Sequence, residues 1–422
     1  MSQAYPIPPL SVAPPVPVEA SPEWILELGT DLESAVPSLR RLMPVTGRHN
    51  YMNTGTSGPT PLPALQTVLD FHRWFNEMGP GGLEAYLGAE AVESELRRTL
   101  AAFFNADVDE IALSPGTSQG VNTVFQGFDW GPDDVILAAD TEHDGILLPA
   151  YVVRDRYGVK VELLKLLGGQ DPLEALAERL KQEPPTLLAL SQVAFNTGQL
   201  LPLKEMVSMA HDHGVPVLVD SAQSVGVVPV DLRDLNAEFT AFTGHKWMLA
   251  PEGAGALHVR RDWVERLKLG AVGWGSRVSF DLDCHVELRP TAQRFEVGTK
   301  EVAVLRGWVE CLRLLSHFGM PAVSQAILNR SRRLHEELSP IPGVSMALPT
   351  GQVNTGLLSF SVSGLTAPQV VSRLYKDWGI ISRYIPKPFP DWVRLSVNFF
   401  QTDEELSQAT QAIRQIAADV GG

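Results

Sequence analysis

From about Tyr51 to Val259 the chain alternates short apolar runs with amphipathic stretches. EIALSP is an apolar run that ends at a turn, and TSQGVNTVFQGF follows with helical spacing. DVILAAD reads as a strand, ILLPAYVVRDRYG as a helix and KVELLKL as a strand. DPLEALAERLKQE predicts an amphipathic helix with Asp171 as its cap and Pro172 at its first position. TLLALSQV, VPVLVDS, FTAFTG and GAGALHV read as further strands, and LKEMVSMAHDHG as a helix ending at Gly214. These strands are continuous apolar runs rather than alternating ones. Strands buried on both faces look like this, so a mostly parallel sheet with helices on both sides is expected.

After about Lys300 the pattern changes. EVAVLRGWVECLRLLSHFG predicts a long amphipathic helix. LLSFSVS, the helix TAPQVVSRLYKDWG, GIISRYI, VRLSVNFF and a final helix DEELSQATQAIRQIAADV suit a smaller α/β domain. The expected division is a proline-rich arm at 1–22, a helical segment at 23–50 packing with the small domain, a large domain at 51–300 and a small domain at 301–422. The arm, MSQAYPIPPLSVAPPVPVEASP, holds little that could enter a core. Ser21 and Pro22 read as the cap and first residue of a helix starting near Glu23.

Composition narrows the classes. Across 422 residues, 49 acidic side chains against 34 basic ones give a net charge of -15. That argues against broad binding of nucleic acid or an anionic membrane, and leaves room for a local anion pocket. Two cysteines, Cys284 and Cys311, cannot build a disulfide framework or a zinc cluster, and no metal site is expected. No secretory leader or bilayer-spanning run is visible, so a cytoplasmic protein with reduced thiols is expected.

Three segments carry candidate chemistry. In TGHKWMLAPEGAGAL, Lys246 lies between His245 and Trp247 before a glycine-rich turn. Partial desolvation there would lower its pKa and make it a better amine nucleophile, as Schiff-base chemistry with an aldehyde cofactor needs. In VPVLVDSAQSVG, Asp220 ends an apolar strand at the edge where open α/β sheets place ligands. It is either a helix cap or the carboxylate that keeps the pyridinium nitrogen of pyridoxal phosphate (PLP) protonated. In SPGTSQGVN, a strand runs through Gly116, Thr117 and Ser118 into a helix, a natural phosphate cradle. The same residues also satisfy G-x-S-x-G, the nucleophile elbow of α/β-hydrolases, with Asp220 and His245 or His258 as nominal partners of Ser118. No HGGG-like segment precedes the serine, and a hydrolase leaves Lys246 unexplained.

The pair VDSAQSVG and GHKWMLAPEGAGAL, at this separation, resembles fold-type I PLP enzymes of the class V aminotransferase group. That group includes cysteine desulfurases, isopenicillin N epimerase-like proteins and C–S lyases. The resemblance runs from Tyr51 to about Glu405 and implies a large PLP-binding domain with a seven-stranded sheet plus a small C-terminal domain. It implies that Lys246 carries PLP as a Schiff base, that Asp220 pairs with the pyridinium nitrogen and that Gln223 donates to the phenolic oxygen. Gly116, Thr117 and Ser118 would cradle the phosphate, joined by Thr243 and His245. His143, in DTEHDG, matches the residue that stacks on the ring, and Asn196, in VAFNTG, one that sits near the cofactor oxygen. Gly298 and Thr299, in RFEVGT, match a segment that reaches the phosphate in the partner subunit's site, so a homodimer is implied. Arg394 matches the arginine that grips the substrate carboxylate, and Asn53 a segment facing the substrate.

One departure separates this chain from the desulfurases of the group, which carry a catalytic cysteine shortly before the Arg394 position. Here GIISRYIPKPFPDWVR has none. The expected activity is therefore β-elimination on a small L-amino acid, C–S lyase-like, with Lys246 removing the Cα proton. Transamination and epimerisation are the alternatives. A serine hydrolase and a cofactor-free binding protein are the alternatives of other classes.

Overall fold

Seven of the apolar runs become one sheet: β1 (Ile111–Ser114), β2 (Val135–Ala139), β3 (Lys160–Leu164), β4 (Leu187–Ser191), β5 (Val217–Asp220), β6 (Phe239–Thr243) and β7 (Gly255–Val259). The computed structural model describes residues 22–421; most of the expected arm, and with it the Ser21 cap, lies outside the described residues. Across the sheet the order is β1-β7-β6-β5-β4-β2-β3, and only β7 runs antiparallel to its neighbours. Continuous apolar character is explained by burial on both faces. Leu187 and Ala189 of β4 enter one core, and Leu188 and Leu190 enter another.

Helices cover the sheet as the spacing predicts. Asp171 caps Pro172–Leu180 by accepting the Leu173 and Glu174 amides at 2.9 and 3.0 Å. Pro22 differs from expectation: it precedes the helix Glu23–Leu26 instead of opening it. Three long helices, Leu62–Glu77, Leu83–Phe104 and Met320–Leu338, stand outside the elements named from the sequence. The first two sandwich Val302–Phe318, whose Trp308 and Leu312 share a core with Phe242 and Trp247.

A second, antiparallel sheet orders Val344–Met346, Leu357–Val362, Val393–Ser396 and Arg383–Tyr384. GIISRYI is not one strand. Ile380–Ile381 pairs in parallel with Asn50–Tyr51, and beyond Ser382 the chain pairs Arg383 with Arg394. Residues 23–50 meet the C-terminal helices through Arg40–Glu405 and Arg330–Glu33 contacts of 2.6–2.8 Å. Among the described residues no helix is long and apolar enough to cross a membrane.

Candidate active site

The carboxyl ends of β1, β4, β5 and β6 open into a cleft of about 920 Å³, closed from the other side by Arg383, Phe389 and Arg394. Ten of the expected site residues meet there. Gly116, Thr117, Ser118, His143 and Asp220 line it, as do Gln223, Thr243, His245, Lys246 and Arg394. Four do not line it: Asn53, Asn196, Gly298 and Thr299.

Backbone packing sets the lysine. A side chain at Gly58 would place its Cβ 2.1 Å from the Lys246 carbonyl oxygen, while the Gly58 amide donates to His245 O at 2.7 Å. Burial, partly offset by Asp220 and reinforced by Arg394 and Arg383, brings the Lys246 ammonium from its ordinary 10.5 to about 8. Asp220 is buried at the end of β5. Burial raises its pKa against the Ala222 amide, which donates to Oδ1 at 2.8 Å, and against Lys246.

The phosphate-cradle segment depends on close backbone approach. A Cβ at Gly255 of β7 would lie 2.4 Å from the Gly116 Cα, so the glycine lets residues 114–116 cross that strand. The helix Thr117–Gly127 starts here, and the Thr117 hydroxyl is buried with no partner among the described residues. Beside it Thr243 Oγ1 lies 3.0 Å from Ala254 O and 2.6 Å from His245 Nδ1. With the threonine proton given to Ala254, His245 donates its Nδ1–H to Thr243.

His143 begins the helix Asp144–Tyr157, with Nδ1 accepting the Gly145 amide at 3.0 Å. Burial and then the Lys246 charge hold its imidazole neutral, with a pKa of about 4. Its ring meets Phe195 edge-on at 4.8 Å, and Phe195 meets Phe389 edge-on at 5.1 Å. Gln223 receives the Trp247 indole at 2.8 Å and donates to Gly55 O at 2.8 Å, leaving one amide hydrogen. Asn196 is fully buried next to Phe195, and neither amide atom has a partner among the described residues.

Arg394 lies on a strand, Val393–Ser396, that is buried on both faces: the residue is 3% exposed. Nη1 donates to Phe195 O at 3.0 Å, Nη2 donates to Thr56 Oγ1 at 3.1 Å, and Nε has no partner among the described residues. Burial and the Arg383 charge lower its pKa to about 9. Two polar cleft residues in contact with each other beside Arg394 are absent from the sequence reading. Thr56 accepts from both arginines and donates to Asn53 Oδ1 at 2.8 Å, so Asn53 stands behind it. Arg383, 3.3 Å from Thr56, is exposed at the mouth. Its register pairing with Arg394 depends on the loop between the two strands, which no motif marks.

These residues fit PLP. An aldehyde needs an amine with a lowered pKa, a phosphate needs unclaimed donors at a helix start, and a pyridinium nitrogen needs a carboxylate. Lys246, the Thr117 hydroxyl and Asp220 supply them from three sides of one cleft. The hydrolase alternative fails on geometry. Among the described residues Ser118 bonds no histidine; His245 is held by Thr243, and His258 is buried against Glu110 at 3.5 Å.

Comparison with known proteins agrees. A probable cysteine desulfurase of Methanothermobacter thermautotrophicus is 29% identical over 392 residues, spanning 90% of this chain and 97% of the relative. A solved structure of C-DES with glycine covalently linked to its PLP cofactor superposes with a TM-score of 0.84 at 30% identity, covering 89% of this chain and 98% of that one. The cystine C–S lyase C-DES in complex with its reaction product cysteine persulfide gives 0.83 at 30% identity, covering 88% and 99%. The aminotransferase class-V family model matches residues 51–384, four-fifths of the chain and all of the cleft lining except residues 386–389 and Arg394. The protein belongs to the aminotransferase class-V family and is a PLP-dependent enzyme.

Proposed function

We propose that the enzyme is a C–S lyase that cleaves the Cβ–sulfur bond of a small amino acid, with an amino-acid disulfide such as cystine as its substrate class. One observation carries the reading: two arginines, Arg394 and Arg383, face the same cleft, and among the described residues no carboxylate pairs with either. A buried guanidinium without a counter-ion is costly, so Arg394 is held ready for an anion. A cystine has two carboxylates, one for each arginine. The similarity to C-DES supports the same reading.

Lys246 would hold PLP, Asp220 would face its ring nitrogen, and Gly116, Thr117, Ser118, Thr243 and His245 would surround its phosphate. His143 would lie against its ring, with Gln223 and Asn196 toward its oxygen. When bound, PLP supplies the electron sink for a Cα carbanion. Arg394 grips the α-carboxylate and fixes the Cα–H toward the lysine. Lys246 Nζ, neutral once released, takes that proton. The Cβ–S bond breaks with its electron pair leaving on sulfur. For cystine the leaving group is cysteine persulfide, and one water converts the three-carbon remainder to pyruvate and ammonia. No cysteine lies between residues 379 and 394. Cys311 is buried, its thiol pushed up by burial, Cys284 is exposed in the turn between Arg277–Phe280 and Val286–Leu288, and neither lines the cleft. A persulfide on the chain is therefore not part of the proposed reaction.

The same proposal includes a cytoplasmic homodimer and the four-part division of the chain at residues 22, 50 and 300. Gly298 and Thr299 line a second pocket of about 400 Å³ behind Ser114 and Pro115, away from their own cleft. Leu148, Val152, Trp274 and Phe280 leave large apolar side chains exposed, as an uncovered subunit face does. Sedimentation of the holoenzyme as a monomer would remove the dimer.

The activity test incubates the PLP-loaded protein with L-cystine, L-cysteine and other amino acids. Pyruvate and persulfide in equal amounts from cystine, none from Lys246→Ala, is the expected result. Alanine with a protein-bound persulfide, keto acid formed with amino transfer to the cofactor, or inversion at Cα without cleavage would identify a desulfurase, a transaminase or an epimerase instead.

A further inference from the structure

Glu142 is a buried acid beside the cleft that the reaction above does not use. It lies in the turn after β2, next to His143, and is completely inaccessible to solvent. Among the described residues no lysine, arginine or histidine bonds it. Among the described residues its carboxyl is bonded only by Ser191, the last residue of β4. The Ser191 amide lies 2.9 Å from Oε1 and 3.0 Å from Oε2, and the Ser191 hydroxyl lies 2.5 Å from Oε2. Ser191 lines the cleft and is in parallel register with Asp220, so the two side chains lie on the same face of the sheet. The charged group acting on Glu142 from a neighbouring strand is Asp220, of like sign.

Two carboxylates cannot share this space cheaply, and an isolated buried carboxylate is disfavoured without a cation. A neutral acid solves both problems with the contacts present. One oxygen accepts the Ser191 amide, and the O–H donates to Ser191 Oγ across the short 2.5 Å contact. The serine oxygen has then received its hydrogen bond, and its own O–H is free to donate. Were Glu142 ionised, the serine would have to spend that hydrogen on the carboxylate.

We propose that Glu142 is a positioning residue that works as a neutral carboxylic acid, donating its proton to Ser191 so that the serine hydroxyl becomes a donor into the cleft beside Asp220. The donor serves the bound cofactor, so this rests on the cleft being the PLP site. Burial and Asp220 raise the Glu142 carboxyl to about 8, in keeping with the geometry.

Infrared difference spectra of the PLP-free protein test the protonation directly. At neutral pH a protonated-carboxyl stretch should be present in the wild type and missing in Glu142→Gln; its absence from the wild type overturns the proposal. PLP affinity tests the positioning. Ser191→Ala should weaken PLP binding by about tenfold, the upper end for one neutral hydrogen bond. Glu142→Ala should weaken it similarly, and Glu142→Gln should rescue it, because an amide also donates to the serine and accepts its N–H. Unchanged affinity in Ser191→Ala, or a Gln variant as weak as the Ala variant, overturns the donor role. Circular dichroism melts confirm that the variants compared are folded. Failure of the lyase reading would show separately, as no pyruvate from cystine with the infrared band intact.

Discussion

Two groups of buried arginines treat charge in opposite ways. Between the helices Leu83–Phe104 and Val302–Phe318, every buried arginine has an acid. Arg97, 3% exposed, meets Glu296 at 2.7 and 2.9 Å and Glu93 at 3.2 Å, and Arg306 meets Glu310 at 2.7 Å. Arg394 is equally buried, yet its partners are a carbonyl and a hydroxyl. The first arrangement neutralises charge within the fold; the second leaves charge for something that arrives. Glu296 also accepts the Leu113 amide at 2.8 Å, so the paired network braces the strand that leads to Gly116. Under the proposed function, acid partners mark the structural arginines, and the lack of one marks Arg394 as the arginine that meets substrate.

The contrast can be broken at either end. Arg97→Met removes one of two cations from Glu296, leaving Lys300 at 2.8 Å, and should cost about 3 kcal/mol of stability, the low end for a broken buried pair, read as a lowered denaturant midpoint with an unchanged slope. A loss below about 1 kcal/mol would mean the network is replaceable. Arg394→Lys should fold and bind PLP but lose the bidentate grip on the α-carboxylate. About 2–4 kcal/mol, roughly 30- to 1000-fold in kcat/KM, is expected for amino acids, and unchanged kcat/KM would disconnect the arginine from the substrate.

Milder tests sharpen it. The amine of Lys246 titrates near 8 because burial disfavours its charge, so its reactive neutral fraction grows as pH rises. Capture of PLP by the cofactor-free protein should accelerate about tenfold per pH unit below that value and level off above it, followed by absorbance. A plateau only above 10 would show an ordinary lysine. Arg383 is exposed, so Arg383→Gln should cost about 1 kcal/mol, roughly fivefold, for cystine. A monocarboxylate such as S-methylcysteine should be affected less. Equal losses for both would place Arg383 outside recognition of the second carboxylate.

Lys246, Asp220 and the Gly116–Ser118 segment were legible as motifs because their chemistry needs unusual neighbours in sequence: apolar residues before a carboxylate, and glycines around a lysine. The strands of the large sheet were legible for the same kind of reason, since two-sided burial demands unbroken apolar runs. Thr56, Arg383 and Glu142 sit in segments with no such mark. Thr56 matters because both arginines reach its hydroxyl, and Glu142 because Ser191 lies against it 49 residues later.

The sequence by itself determined the strands of the large sheet, the class of that sheet and the cofactor chemistry, because periodicity and local motif are properties of neighbouring residues. Tertiary structure decided which charges are satisfied. Whether an arginine is spent on the fold or kept for a ligand depends on partners brought from distant elements: Glu296 to Arg97 across 199 positions, and Phe195 to Arg394 across another 199. Burial makes each of those outcomes costly to reverse, and burial exists only once the chain has folded.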